Sequence, residues 1–256
     1  MSALKDRLRS TIKAGRHRGA LWVRALDFAR LLMSAEGRSI LWSRTVHRDA
    51  IHQTTPYTCE ERYPLLFDLA AKLKPDAQRI MSFGCSTGEE LVAIRRRFPR
   101  ARIVGVEINP RSRKIAARRA SGDASTEVVG PSSISGTFDV IFALAVLQRE
   151  PHKVAELEVG DLTSFYPFDR FDSAVCMLGR HLGPGGLLCV FNAQYRVEDS
   201  SLASRLEVVS ESPLMDGPLF GPGGALLVDA VAHSVFRRKR RDQPRRRQKK
   251  QLSPKR

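Results

Sequence analysis

An α/β fold with a mostly parallel sheet and helices on both faces is what the sequence predicts, on three observations. Arg79 to Leu91 (RIMSFGCSTGEEL) reads as a short apolar strand, a turn of small residues and the opening of a helix. Ala101 to Val106 is a second apolar strand, and it ends in Glu107, twenty-three residues after Gly84. Phe138 to Leu144 (FDVIFAL) is a nearly continuous apolar run, as expected of a central parallel strand covered on both faces.

The first two observations also carry the functional reading. A strand, a glycine turn and a helix N-terminus form a mononucleotide-type corner, where glycine lets the backbone approach a ligand and unpaired helix N–H groups face it. An acidic residue at the tip of strand two is placed to bind the two hydroxyls of a ribose. The turn is neither G-x-G-x-x-G nor a P-loop, since no Lys follows it. Two glutamates, Glu89 and Glu90, come directly after Gly88 and would repel a phosphate. A nucleoside with a zwitterionic, cationic tail suits the corner better, and S-adenosylmethionine is such a molecule.

The remaining elements follow in order. Residues 3–33 read as a helix, with Leu4, Leu8 and Ile12, then Trp22, Leu26, Ala29 and Met33, recurring at helical spacing opposite a basic face. Residues 34–60 are mostly irregular. A helix is expected from Glu60 to about Leu73, with Leu65, Leu66, Leu69 and Leu73 as its core stripe and Pro75 beyond its end. After strand two, Asn109 and Pro110 start a helix running to about Arg119, and Thr126 to Val129 is a third strand. Asp161 to Phe171 is a loop whose Phe165, Tyr166 and Phe168 either cover a substrate or pack as a satellite core. Phe171 to Leu182 is a helix, Gly183-Pro184-Gly185-Gly186 a turn, and LLCVFN strand five. Leu206 to Ser210 and Ala225 to Phe236 would be strands six and seven, an antiparallel edge.

With these residues in place, a resemblance can be named. Gly84-Cys85-Ser86-Thr87-Gly88-Glu89-Glu90 resembles the first motif of class I S-adenosylmethionine-dependent methyltransferases, and is most similar to the chemotaxis receptor (CheR-type) methyltransferases. Thr58, Arg62 and Phe67 reproduce the Thr-x-x-x-Arg-x-x-x-x-Phe spacing of that family. The resemblance implies a Rossmann-like fold, a seven-stranded mostly parallel sheet with helices on both faces, and S-adenosylmethionine as cofactor. It implies cofactor contacts from Thr58 and Arg62, from the turn Gly84, Cys85, Ser86, Thr87 and Gly88, and from Glu89 to the amino group. Glu107 would hold the ribose, Ile108 the adenine ring and Ser132 its amino group, with Leu144 and Ala145 at the tip of strand four. Glu89 and Glu90 also suit a helix start through the macrodipole, and Cys85 suits a tight turn simply by being small.

The acceptor is less marked. The tip of strand four reads Ala143-Leu144-Ala145-Val146-Leu147-Gln148, without the Pro-Pro turn of methyltransferases acting on adenine or glutamine nitrogens and without a Pro-Cys. Ala145 stands where the chemotaxis family has Asn, and Phe191-Asn192-Ala193-Gln194 where it has Gly-His-Ser-Glu. The reading is therefore transfer of a methyl group to a small-molecule, glycan or lipid-linked acceptor, at oxygen. The alternatives are a protein carboxyl methyltransferase of the chemotaxis-receptor type, or an RNA or DNA methyltransferase assisted by basic ends. His152 is the candidate general base, because imidazole titrates near neutrality. Asn192 and Tyr195 are candidates for lining the acceptor pocket. His181, before the glycine turn, is read as a helix C-terminal cap.

Charge divides the chain into three: a basic amphipathic extension over 1–54, a methyltransferase domain over 55–236 and a disordered basic tail over 237–256. The net charge is +16. From Arg237 onward there are twelve Lys/Arg against one Asp, and from Met1 to Met33 eight against two, so the stretch between is close to neutral. The two ends are expected to make weak contacts with nucleic acid or an anionic membrane surface. Four cysteines without C-x-x-C spacing give no metal site or disulfide framework, and no apolar run is long enough to span a bilayer. The expected location is cytoplasmic, with peripheral membrane association as a variant.

Overall fold

The structure, a computed structural model, describes residues 33, 37, 52, 59–209, 211–215 and 217–240. The expected N-terminal helix apart from Met33, the cofactor contact expected of Thr58, and the tail beyond residue 240 lie outside the described residues. The elements are α1 (Pro64–Leu73), β1 (Arg79–Phe83), α2 (Glu89–Arg97), β2 (Arg102–Val106), α3 (Pro110–Arg119), β3 (Thr126–Val129), β4 (Phe138–Leu144), α4 (Pro151–Glu156), α5 (Phe168–His181), β5 (Leu182–Phe191), β6 (Leu206–Val208), β7 (Leu219–Phe220), β8 (Leu226–Leu227) and β9 (Val235–Arg238). The main sheet has seven strands in the order β3-β2-β1-β4-β5-β9-β6. Its first five are parallel, and β9 runs antiparallel to both β5 and β6.

Alternation along the central strands builds two cores, one on each face. Ile80, Ile103, Val140, Phe142 and Leu187 meet Leu66, Phe67 and Ala70 of α1 and Leu91, Ala93 and Ile94 of α2. Met81, Val104, Ile141, Leu188 and Val190 turn the other way, onto Phe171, Val175 and Leu178 of α5. A strand reading apolar at every position is what this two-sided cover requires. Each fully buried Phe, Ile or Leu contributes about 2 kcal/mol.

The helices form where sequence signals place them. Asn109 caps α3, its side chain accepting from the Arg111 and Ser112 N–H groups at 2.9 and 3.2 Å, with Pro110 at the first helical position. In α2, Glu89 and Glu90 sit in the first turn and Arg95, Arg96 and Arg97 in the last, each complementing the helix dipole.

Several elements differ from expectation. Helix α1 begins at Pro64 rather than Glu60, and Leu65 faces solvent at 72% exposure. Leu66, Phe67 and Ala70 are buried, and Leu69 and Leu73 pack partly buried against the same core, so of the expected stripe only Leu65 turns outward, its neighbour Leu66 taking the inward place. Helix α5 begins at Phe168 and ends at His181. Strand β5 starts at Leu182, ahead of the Gly183–Gly186 turn; its pairing jumps from Phe138↔Leu182 to Val140↔Leu187, which absorbs the glycines as an irregularity within the strand. The last strand is only Val235–Arg238; before it, β7 and β8 pair as a separate two-stranded ribbon. Tyr166 and Phe171 pack into the core below the loop expected to start at Asp161.

Gly88 tests how tightly α2 and α3 are placed. It is the left-handed cap of α2 (φ 90°), and a Cβ there would meet the Cα and Cβ of Ala116 at 3.0 Å. Gly88→Ala adds the cost of positive φ to this crowding and is expected to lower stability by about 1–2 kcal/mol, read as a shifted urea midpoint with unchanged slope.

Candidate active site

Strand order reverses between β1 and β4, because β1 connects outward to β2 while β4 lies on its other side. The connections leaving the carboxyl ends of β1 and β4 therefore diverge, and the crevice between such connections is the usual ligand position in an open α/β sheet. The Gly84–Gly88 turn forms one wall. The Gly84 and Cys85 N–H groups both donate to the Val106 carbonyl at the tip of β2 (2.8 and 3.1 Å). Gly84, Ser86 and Gly88 all have positive φ (82°, 50° and 90°). A Cβ on Gly84 would lie 2.6 Å from Cγ2 of Val146, so the absence of a side chain lets the β1 and β4 tips meet. The N–H groups of Thr87, Glu89 and Glu90 have no acceptor among the described residues.

Glu107 faces this turn. It is 8% exposed, and its Oε2 accepts from the Ser86 N–H at 2.9 Å while Oε1 accepts from the Asn109 N–H at 2.7 Å. Burial pushes its carboxyl above the ordinary glutamate value, opposed by these backbone hydrogen bonds and by the Arg113 charge. The carboxylate keeps acceptor capacity beyond these backbone hydrogen bonds, which suits the cis-diol of a ribose. Ile108 follows, part-buried, and Ser132 lies exposed in the single helical turn Pro131–Ser133 after β3. Both sit beyond the carboxyl ends of β2 and β3, on the same side as Glu107.

The two glutamates of α2 have separate surroundings. Glu89 is committed to surface structure: Oε1 pairs with Arg119 at 2.7 Å and Oε2 accepts from the Thr87 hydroxyl at 2.6 Å. Glu90 turns under the sheet edge, where its Oε1 accepts from the buried Ser82 hydroxyl at 2.7 Å. Burial raises the Glu90 carboxyl to about 7, against the opposing effects of the Ser82 hydrogen bond and the Arg62 charge. Arg62, Tyr63 and Asn192 complete the group. The Arg62 guanidinium lies over the Tyr63 ring at 5.1 Å, and the Tyr63 hydroxyl accepts from Asn192 Nδ2 at 3.0 Å. Sequence reading misses Glu90 and Tyr63; the helical phase that sends Glu89 toward α3 is the signal that separates the neighbouring glutamates.

Other candidates are placed differently. The Cys85 side chain turns inward against Gly105, where burial pushes its thiol well up, so only its backbone borders the crevice. Leu144 and Ala145 are buried at the β4 tip, with Ala145 at φ 53° and its N–H donating to the Phe191 carbonyl at 2.7 Å. His152 is exposed on α4, with no hydrogen bond to any described residue to orient it as a base. Tyr195 is 1% exposed and its hydroxyl donates to the Tyr166 carbonyl at 2.6 Å; it is core rather than pocket wall. His181 caps nothing in its own helix: its Nδ1 meets the Gly136 carbonyl at 2.9 Å. The buried histidine is instead His52, whose Nδ1 meets the Tyr166 hydroxyl at 2.5 Å and whose pKa burial lowers to about 4, so it is neutral at pH 7.

Three comparisons bear on this site. A family model described as "Methyltransferase domain" matches residues 52–208. Trans-aconitate 2-methyltransferase of Deinococcus radiodurans is 27% identical over 117 residues, 46% of this chain and 38% of that protein, so the chain spans about two fifths of this relative. Among solved structures, the N-methyltransferase NodS from Bradyrhizobium japonicum is 17% identical, with a TM-score of 0.47 over 70% of this chain and 95% of that one. CalS10, an amino pentose methyltransferase from Micromonospora echinaspora, is 16% identical, with a TM-score of 0.40 over 77% and 82%.

The part-buried Glu90 carboxyl gives a pH signature. Its folded pKa lies above the ordinary 4.5, so the folded state holds a proton that the unfolded state has released. Stability therefore falls as pH rises from about 4.5 to about 7 and is flat above, a loss on the order of 3 kcal/mol from this group. Glu90→Gln is expected to remove that slope and raise the melting temperature at pH 8, measured by thermal scans between pH 5 and 8.

Proposed function

The chain belongs to the methyltransferase domain family, and from that premise we propose that it methylates a small-molecule, glycan or lipid-linked acceptor at oxygen, with S-adenosylmethionine as donor. The observation that carries the donor assignment is Glu107, whose carboxylate sits 2.9 Å from the Ser86 N–H of the glycine turn. Glu107 would hold the ribose diol, and Ile108 and Ser132 would border the adenine. The Gly84–Gly88 turn would carry the methionine portion on its open N–H groups, with Glu90 rather than Glu89 opposite the amino group. When bound, the sulfonium supplies an already activated methyl group, so what the protein must provide is alignment of the acceptor and exclusion of water.

The acceptor side supports a small substrate. Its wall includes the apolar β4 tip, and the polar side chains nearby are internally engaged: Asn192 with Tyr63, and Gln194 with the Arg149 backbone at 2.7 and 3.0 Å. The relative's named acceptor, trans-aconitate, is a small molecule. The chemotaxis-type reading, carboxyl methylation of a protein, draws on Arg62 reaching Glu90 beside the GCSTGEE turn. Against it stand Ala145 and the Phe191-Asn192-Ala193-Gln194 sequence.

Calorimetric titration of S-adenosylhomocysteine checks the donor. Glu107→Ala is expected to weaken binding tenfold or more, with the melting curve of the free protein showing that it remains folded; equal affinity overturns the assignment. Tritiated-methyl transfer from S-adenosylmethionine into fractionated extract checks the acceptor. Label is expected in the small-molecule or lipid fraction, and label confined to protein would establish the carboxyl-methylation alternative instead.

A further inference from the structure

The end of the sheet opposite Glu107 carries a cationic cavity that the reaction does not use. It lies where α5 ends, β5 begins and β9 finishes. It measures about 480 Å³ and is lined by Arg180, Arg205, Arg238, Ser201 and Cys176 among others. A second cavity of about 240 Å³ shares Arg205 and Arg238 and adds Lys239 and Arg240. Neither lining includes a carboxylate. The seven residues of β4, which span the pairing from Leu182 to Phe191 of β5, separate this end from the crevice by about 20 Å.

Five cationic side chains thus share one concave surface, and they divide into anchored and open groups. The Arg238 guanidinium is fixed by the carbonyls of Gly179, at 3.0 Å, and Leu182. Lys239 Nζ donates to the Ser204 carbonyl at 3.0 Å, and its N–H to the Arg205 carbonyl at 2.9 Å. The side chains of Arg180, Arg205 and Arg240 make no hydrogen bond or ion pair to any described residue. Several arginines elsewhere are matched, Arg95 with Asp123, Arg97 with Glu61 and Asp68, Arg119 with Glu89 and Arg196 with Asp199, while Arg100, Arg111 and Arg118 are exposed and scattered without an ion pair to a described residue; what sets this group apart is that its cations share one concave surface. The carboxylates near the cavity are engaged too. Asp172 accepts from the Ser201 N–H and hydroxyl at 2.7 Å each, and Glu207 pairs with Arg237. Uncompensated guanidinium groups around a cavity make a site for phosphate, which a guanidinium meets with two parallel N–H donors.

We propose that this cavity binds the phosphate backbone of single-stranded nucleic acid, as an anchoring site remote from the chemistry. The pocket is concave, which admits one phosphodiester strand and excludes the flat face of a bilayer. Arg240 lies on its rim, and the sequence continues with eight Lys/Arg in the sixteen residues 241–256. Leu252 is the one apolar side chain of that stretch, which also holds no aromatic, so it lacks the groups that insert into a membrane interface. The cavity therefore extends a polycationic segment onto the folded body and adds fixed phosphate positions to it.

The test uses the full chain and a fluorescein-labelled 20-nucleotide oligouridylate, with anisotropy read from 50 to 300 mM salt. Arg180→Ala/Arg205→Ala is expected to weaken binding at least tenfold at 100 mM salt. It should also lower the slope of log affinity against log salt by about 1.4, or about 0.7 for each phosphate no longer neutralised. Arg180→Lys/Arg205→Lys should keep most of the slope. Unchanged S-adenosylhomocysteine affinity in each variant confirms an intact fold. Equal affinity and slope in the alanine variant would overturn the proposal and leave binding to the basic stretches outside the cavity. Binding to phosphatidylserine vesicles but not to the oligonucleotide would overturn it in favour of a membrane surface.

Discussion

Glu107 joins three pieces of chain at the tip of β2, adding to the sheet pairing and to the bonds from the glycine turn to the Val106 carbonyl. Through Ser86 it fixes the middle of the glycine turn, and through Asn109 the entry to α3, while its own N–H donates to the Val129 carbonyl of β3 at 3.0 Å. A carboxylate at 8% exposure is costly to keep charged. It persists because backbone N–H groups of Ser86 and Asn109 replace the lost water. The group that reads as ligand-binding is therefore also the group that shapes the binding turn.

The glycines express the same constraint sterically. Gly84 lets the β1 tip reach Val146, Gly88 lets α2 approach α3, and Gly105 leaves room for the Cys85 sulfur and for Leu91. Cys85 can turn inward only because Gly105, in β2 beneath its sulfur, has no side chain. A small-residue run in one strand-to-helix turn is thus matched by a small residue in the adjoining strand. Function and packing are not competing accounts of this motif.

Much of this is legible in the sequence, for physical reasons. Strands buried on both faces are continuously apolar, so β1, β2 and β4 stand out, and Asn109-Pro110 is a strong helix start. What stays hidden depends on rotation about an axis. Leu65 against Leu66, and Glu89 against Glu90, are adjacent residues of one chemical type, and only tertiary packing decides which faces inward. Tyr195 is hidden for a related reason: a tyrosine after a strand suits a pocket or a core equally, until the Tyr166 carbonyl takes its hydroxyl. The β5 boundary misleads because a Gly-Pro-Gly-Gly run signals a turn, yet here the neighbouring strand holds both sides of it in line.

The position of β9 sets an order on the making of the molecule. It is the last described strand in the chain but lies inside the sheet, with β5 on one side and β6 on the other. While the polypeptide is being synthesised, β6 emerges with no strand to join and β5 with one edge bare, until residue 238 is free to slot between them. Bare edges invite pairing with other nascent chains. The interval between residues 208 and 235 is then the stretch of translation in which the chain is most exposed to misassembly, and slow codons there would lengthen that risk.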